Sequence, residues 1–436
     1  MHWRALNPLC RVVRVVESED IAWLVVLRVA AGTAIASLAV AMLADVGHVR
    51  GFLAARRHVP YCGFDWLPAM SPRHLRGVAM ALVALGLAMA AGYRYRASAT
   101  LTTIASGYLF FLDSGYYQST SYLAFLLVAL LAWSPAADAF SLDARANSRS
   151  PRNTRYTRAL FQFQVGAVYF FSGVSKWNVD WLSGRTLGAM LPDYPLARWL
   201  SGAMNREAMF TVGSWVAMLF DLLIVPLLLW RRTRQVAFVA LFFFHVHNAL
   251  MMQLGAVPWL MLVASTVFLP PDWPRRLGLP LGSPREASRG KLSQASRAFL
   301  VGWILVQIVV PLRRWVISGD PYFTDIGFYF TWPLRSRAKS SAALLRIVDK
   351  RSGAERLQPV ETGLSPEAAR RASGDPHAVW WQAHEEARDH DVAVYALASA
   401  SLNGHPDTVL IDPNVDLAAA SFPLFGLPPW VHPHSR

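Results

Sequence analysis

Cysteine and charge are what this 436-residue chain has least of. Its two cysteines, Cys10 and Cys62, flank the first long apolar run, so a span between them puts them on opposite sides of a bilayer and leaves no disulfide framework. Charged residues make up 16% of the chain against 54% hydrophobic ones, a balance that excludes an ordinary soluble fold and points to a polytopic membrane protein. There is no glycine-rich phosphate loop, no paired-histidine metalloprotease motif and no nucleophilic-serine elbow, which argues against nucleotide-driven pumps and the common hydrolases. No internal repeat is visible, and a transporter would need an inverted one or a pair of broken helices. The first twenty residues lack the apolar centre and cleavage site of a signal peptide, so the first span is expected to act as an uncleaved anchor.

The charge that is present is one-sided, with a net value of +14. Arginines cluster in short connectors between apolar runs, the pattern of a topology signal; anionic lipid headgroups are the expected partner, and nucleic acid is not. Taking roughly 17 to 25 residues per span, the sequence predicts about nine transmembrane helices, near 21–44, 77–92, 99–113, 120–136, 158–177, 207–230, 235–251, 255–270 and 297–312. The connectors after spans two, four, six and eight carry arginines such as Arg94, Arg149, Arg231 and Arg275, whereas those after spans three and seven carry no basic residue. The N-terminus is therefore expected in the cytoplasm and the C-terminal part outside. The first outer connector, with Arg50, Arg56, Arg57, Arg73 and Arg76, votes the other way, and its YCGFDWL patch reads as an interfacial segment.

From about residue 335 the texture turns soluble. Leu344–Val348 and Arg356–Val360 around a polar turn read as a hairpin, Ser365 before Pro366 and Glu367 as a helix start, and Pro376–His390 as a second helix. Val392–Ala398, Asn403-Gly404 and Val409–Ile411 read as two strands around a turn. The expected organisation is a short N-terminal segment, 1–20, a transmembrane domain, 21–334, and an extracytoplasmic α+β domain, 335–436.

The chemistry concentrates in GAVYFFSGVSKWNVDWLSGR, Gly166 to Arg185. Lys176 ends an aromatic apolar run, followed by Asp180 and Trp181. Held among Tyr169, Phe170, Phe171, Trp177 and Trp181, its ammonium is expected to be desolvated toward the free amine, a form able to act as a general base; the plainer alternative is snorkelling to the interface. His245 and Asn248 share a helical face at three-residue spacing. Asp221 lies near the middle of the sixth span, with Lys176 or Arg28 as its expected cation, and Arg28 itself reads as an interhelical or snorkelling group. Ser119, Thr120 and Tyr122 open the fourth span. Ionisable groups at mid-bilayer cost about 2.5–3.5 kcal/mol on insertion scales, so their convergence on one half of the bundle marks a site by default. His245 and His247 are two apart, on different faces, and no metal site of recognisable spacing is present.

The run Tyr169-Phe170-Phe171-Ser172-Gly173-Val174-Ser175-Lys176, followed by Asp180-Trp181-Leu182 and Gly184, resembles the signature of the vitamin K-dependent gamma-glutamyl carboxylases and the bacterial membrane proteins that share their domain. Other segments agree in order: Phe244-His245 with Asn248, Pro270 with Asp272-Trp273-Pro274, Pro311-Leu312-Arg313, Gly319-Asp320, Gly327, Phe330, Ser401-Leu402-Asn403-Gly404, Ile411-Asp412-Pro413 and Val415-Asp416-Leu417. The resemblance implies a membrane enzyme in which Lys176 is the base on a reduced quinone, vitamin K or a relative. Oxygenation of that quinone is coupled to proton removal from the γ carbon of a peptidyl glutamate on the outer face, and carbon dioxide then adds. His245, Asn248, Asp221, Asp180 and Trp181 would support or line the pocket. One departure stands out: the family's Asn-His pair before Tyr122-Leu123 reads Ser119-Thr120 here, so quinol oxygenation is expected ahead of carboxylation. The alternative is a non-carboxylating quinone- or lipid-binding membrane protein.

Overall fold

The structure, a computed structural model, describes residues 19–146, 155–192, 205–251, 256–279, 281 and 293–434. Nine helices, α1 Ala22–Leu43, α2 Pro72–Ala91, α3 Tyr95–Leu112, α4 Ser119–Trp133, α5 Arg155–Ser175, α6 Arg206–Leu229, α7 Arg234–Met251, α8 Val257–Ser265 and α9 Gln294–Leu312, lie where the apolar runs place them among the described residues. Among the described residues only α1, α2, α6 and the stretch from α9 to Trp315 are both long and apolar enough to cross a membrane. The difference has a physical cause. Helices α3, α5 and α7 carry Ser98 and Thr102, Gln164 and Ser172, and His245 and Asn248 on faces buried inside the bundle, which lowers their apolar content. The α4 and α8 helices are apolar but short. Cys10 lies outside the described residues, and Cys62 is a free, exposed thiol.

Small residues set the closest helix pair. A Cβ on Gly32 of α1 would stand 2.5 Å from the Gly86 carbonyl of α2, and a Cβ on Gly86 2.7 Å from the Gly32 carbonyl, so the two backbones touch as small-residue seams allow. Arg28, fully buried one turn earlier, donates to the carbonyls of Ala90, Ala136, Ala139 and Phe140. It thereby fastens α1 to the end of α2 and to the segment after α4, the interhelical of its two expected roles and not the cation of Asp221.

The C-terminal part is a four-stranded antiparallel sheet in the order β2-β1-β3-β4, with β1 Lys339–Asp349, β2 Glu355–Pro359, β3 Val392–Leu402 and β4 Thr408–Val409. Register pairs Arg346 with Leu357 across the hairpin and with Tyr395 on the other side. Alternation does the sorting: Leu345 and Ile347 face a core shared with Val394, Ala396, Val379 and Ala383, while Leu344, Leu357 and Leu397 stay exposed. Helix α10, Pro366–Ala372, is capped by Ser365, whose side chain accepts from the Ala368 amide, and α11, Pro376–Ala387, packs on β3. The domain is tied to the first connector by Arg57, which pairs with Glu386 at 2.9 Å and bonds Gln382.

Candidate active site

Lys176 follows the last residue of α5, and its side chain turns back along the helix. Its Nζ lies 2.7 Å from Ser172 Oγ, one turn earlier, and 2.7 Å from Asp221 Oδ2 on α6. Ser172 Oγ also donates to that carboxylate oxygen at 2.7 Å, so three groups close a triangle between two helices. Gly173 makes it possible. A Cβ there would meet Leu222 at 2.7 Å and the Asp221 Cβ at 3.2 Å, so only glycine lets α6 bring its carboxylate this close.

Lys176 is 5% exposed, which replaces snorkelling with burial. Trp181 covers it, with the ring centre 5.4 Å from Nζ and the indole nitrogen donating to the Ser214 carbonyl at 2.9 Å. Of the two cations expected for Asp221, the structure gives it Lys176, so the amine is desolvated with an ionisable partner in contact. Burying a lysine and an aspartate together is tolerable where either alone would cost several kcal/mol.

Asp180 does not join this triangle. The short turn Val179–Leu182, capped by Asn178, aims it at the β3–β4 turn, where Asn403 Nδ2 and His405 Nε2 each lie 3.0 Å from its carboxylate oxygens. Ser175 Oγ meets Ser336 Oγ at 2.7 Å, and Tyr322 donates to the Ser175 carbonyl at 2.7 Å. The end of α5 is thus clamped by the segment leading into the sheet domain.

His245 and Asn248 are both buried on the inner face of α7. His245 Nε2 is 2.7 Å from the Tyr169 hydroxyl, which also reaches Ser265 Oγ of α8 at 3.2 Å. This is a second cluster on α5, and no direct bond joins His245 to Lys176; Tyr169 and Ser172 are three residues apart on one helix and bridge the two. His245 Nδ1 is buried with no hydrogen-bond partner.

Thr120 and Ser119 line a void of about 10 Å³ together with Leu123, Val168, Val257, Leu260, Met261, Trp332 and Leu334. Val168 stands one turn before Ser172 on α5, so the void and the lysine triangle are neighbours along one helix. Two buried polar atoms of its lining residues, Thr120 Oγ1 and Trp332 Nε1, have no partner. Tyr122 points away from the void and stacks on Trp332 with ring centres 4.8 Å apart. On the other face of α4, Ser121, Ala124 and Phe125 border a larger apolar cavity of about 60 Å³ between α1, α2 and α3. Among the described residues no group of three histidine, cysteine, aspartate or glutamate side chains could hold a metal ion.

Sequence reasoning missed Trp332 and the segment that carries it. Asp325, Phe330, Trp332 and Arg335 all take positive φ, between 49° and 65°, although none is glycine. Left-handed non-glycine residues cluster where surroundings impose them, often at ligand sites. Ser172 was readable as a neighbour of Lys176 from four-residue spacing, whereas the pairing of Tyr169 with His245 needed the packing of α5 on α7.

Comparison with known families gives two matches, in chain order. The HTTM domain covers residues 16–273, more than half the chain, and the lumenal domain of vitamin K-dependent gamma-carboxylase covers residues 292–436. The second match includes α9 as well as the sheet. No solved structure matches the chain. With both domains present in order and the lysine signature built into a buried triangle, the chain belongs to the vitamin K-dependent gamma-glutamyl carboxylase-like family.

Proposed function

We propose that this is an integral membrane enzyme of the carboxylase type, with about nine spans and its sheet domain on the extracytoplasmic side, acting on a quinol and a glutamyl substrate. The observation that carries the reading is the Lys176 amine, buried and held at 2.7 Å by both Ser172 and Asp221 beside a void with unpartnered polar atoms. An ion pair and a free amine beside a carboxylic acid contain the same number of protons. When the proton moves from Nζ to Asp221 Oδ2 the amine's lone pair is freed, and Nζ then takes a proton from a hydroxyl placed against it.

The residues around the void suit a quinol: an aromatic wall from Trp332, backed by Tyr122 and Phe330, with an indole N–H and a threonine hydroxyl free to bond ring oxygens. The void itself holds about one water, so a ring enters by displacing Trp332. The reduced quinone, with dioxygen, supplies the strong base that no side chain can. Lys176 supplies the first deprotonation, and the bundle excludes water from it.

Thr120 stands where the family's histidine would serve the carboxylation half, and a threonine hydroxyl gives up no proton at neutral pH. Purified protein incubated with reduced naphthoquinone, dioxygen and labelled bicarbonate is expected to form epoxide with little incorporated carbon. Lys176→Ala should abolish epoxide formation while keeping quinol binding. Binding with no turnover in either protein would instead support the quinone- or lipid-binding alternative.

A further inference from the structure

The sheet domain carries an apolar loop that the catalytic reading does not use. From Ser421 to Val431 there is no charged residue, in a chain where 16% are charged. At its tip Leu424 is 67% and Phe425 86% exposed. The loop does not stand alone: Leu424 packs on Gly63, where a Cβ would be 3.1 Å from its methyl, and Pro423 O lies 3.8 Å from Cys62 Sγ. Trp66, three residues on from Gly63, is 73% exposed. Two distant stretches of sequence thus form one aromatic and aliphatic patch.

Its depth can be read from α3. Tyr108 lies four residues before the end of that helix, or about 6 Å along its axis. Its hydroxyl donates to the Pro68 carbonyl at 2.9 Å and accepts from the Met70 amide at 3.2 Å, while Phe64 stacks on Phe111 with ring centres 4.6 Å apart. The connector therefore lies against the last turn of a bundle helix, level with the helix ends. Exposed Arg73 and Arg76 follow in the first turns of α2. Tryptophan and other large apolar side chains at helix-end depth, with arginines beside them, match the headgroup layer of a bilayer.

We propose that Trp66, Leu424 and Phe425 form a lipid anchor by which the sheet domain sits in the leaflet on its own side, in contact with anionic headgroups. The occupant is lipid, because the patch is continuous with the end of a bundle helix and a protein partner would have to enter the headgroup layer to reach it.

The test places a nitrobenzoxadiazole fluorophore on Phe425→Cys in a Cys10→Ser, Cys62→Ser background, with the label on Ser352→Cys of the β1–β2 turn as reference. Both proteins go into vesicles of phosphatidylcholine and phosphatidylglycerol carrying a nitroxide at a shallow acyl position. The expected result is blue-shifted emission from the Phe425→Cys label, with quenching at least about twofold stronger than at the reference. Water-like, unquenched emission overturns the proposal, and so does a blue shift without quenching, which would mean that protein covers the loop. Neither result depends on turnover, so the catalytic reading stands or falls separately.

Discussion

Among the described residues a lysine is buried beside an aspartate twice, and the two sites are built differently. In the sheet domain Asp325 receives Lys339 at 2.6 Å and Arg337 as a second cation, while Lys339 also donates to the Gly374 carbonyl. Arg337 spreads over the Phe328 ring and donates to the Tyr322 carbonyl, so each charge is answered. Around Lys176 there is one carboxylate for one ammonium, and unpartnered buried atoms of Thr120, Ser214, His245 and Trp332 lie on the surrounding elements. A saturated network rigidifies, whereas unmade hydrogen bonds in a dry setting invite a ligand. The contrast suits architecture for the first pair and the proposed chemistry for the second.

Substitutions should separate the two. The largest effect is expected from Asp221→Ala, which strands a buried cation: a stability loss of about 3–5 kcal/mol in thermal or denaturant unfolding, together with loss of quinol turnover. The double variant Lys176→Met, Asp221→Leu should recover most of that stability and none of the activity. If its activity returned, the base would have to be sought elsewhere. Asp325→Ala should cost a similar 3–5 kcal/mol yet leave turnover per folded molecule unchanged.

Acid sharpens the comparison further. Desolvation pushes the Asp325 carboxyl up, but Arg337 and Lys339 outweigh it and hold it below the usual carboxylate range. Near pH 4 the unfolded chain therefore binds the extra proton first, so this contribution to stability is whole above the unfolded value of about 3.9 and fades as pH falls through the folded one. Unfolding curves of Asp325→Asn should show a shallower acid limb than the parent. The smallest effect is expected from Trp332→Phe, which keeps an aromatic ring but removes the donor and vacates part of a fully buried site: a stability loss of about 0.5–3 kcal/mol, quinol KM raised several-fold and kcat little changed. An unaltered KM would take the indole out of the pocket.

Much of this was legible beforehand, and the reasons are local. Length and apolarity placed the helices, and alternation placed β1 and β3, because those signals act within one element. Lys176 and Asp221 announced themselves as charges in apolar surroundings, where a partner is needed. What could not be read is who answers whom. The family resemblance put Asp180 in the pocket, but the chain leaves α5 just before Lys176 and turns Asp180 toward Asn403 and His405. Trp332 carries no signal at all, in a segment where it and Phe330 both take left-handed backbone and Phe330 packs among Tyr61 and Phe110. Among the described residues only four helices are long and apolar enough to be recognised as spans by those two properties alone, since a helix that faces partners on one side need not be apolar all round.

The grip of the β3–β4 turn on Asp180 has a consequence for how the polypeptide can be divided. That carboxylate sits in the bundle half of the protein, where Arg185 lies 3.9 Å away, while the asparagine and histidine that hydrogen-bond it are contributed by the sheet. Any shortened version, natural or engineered, that discards the last hundred residues loses those two bonds at a buried carboxylate within a few positions of the lysine. Separating the halves is therefore expected to loosen the turn on which the lysine's covering tryptophan is carried.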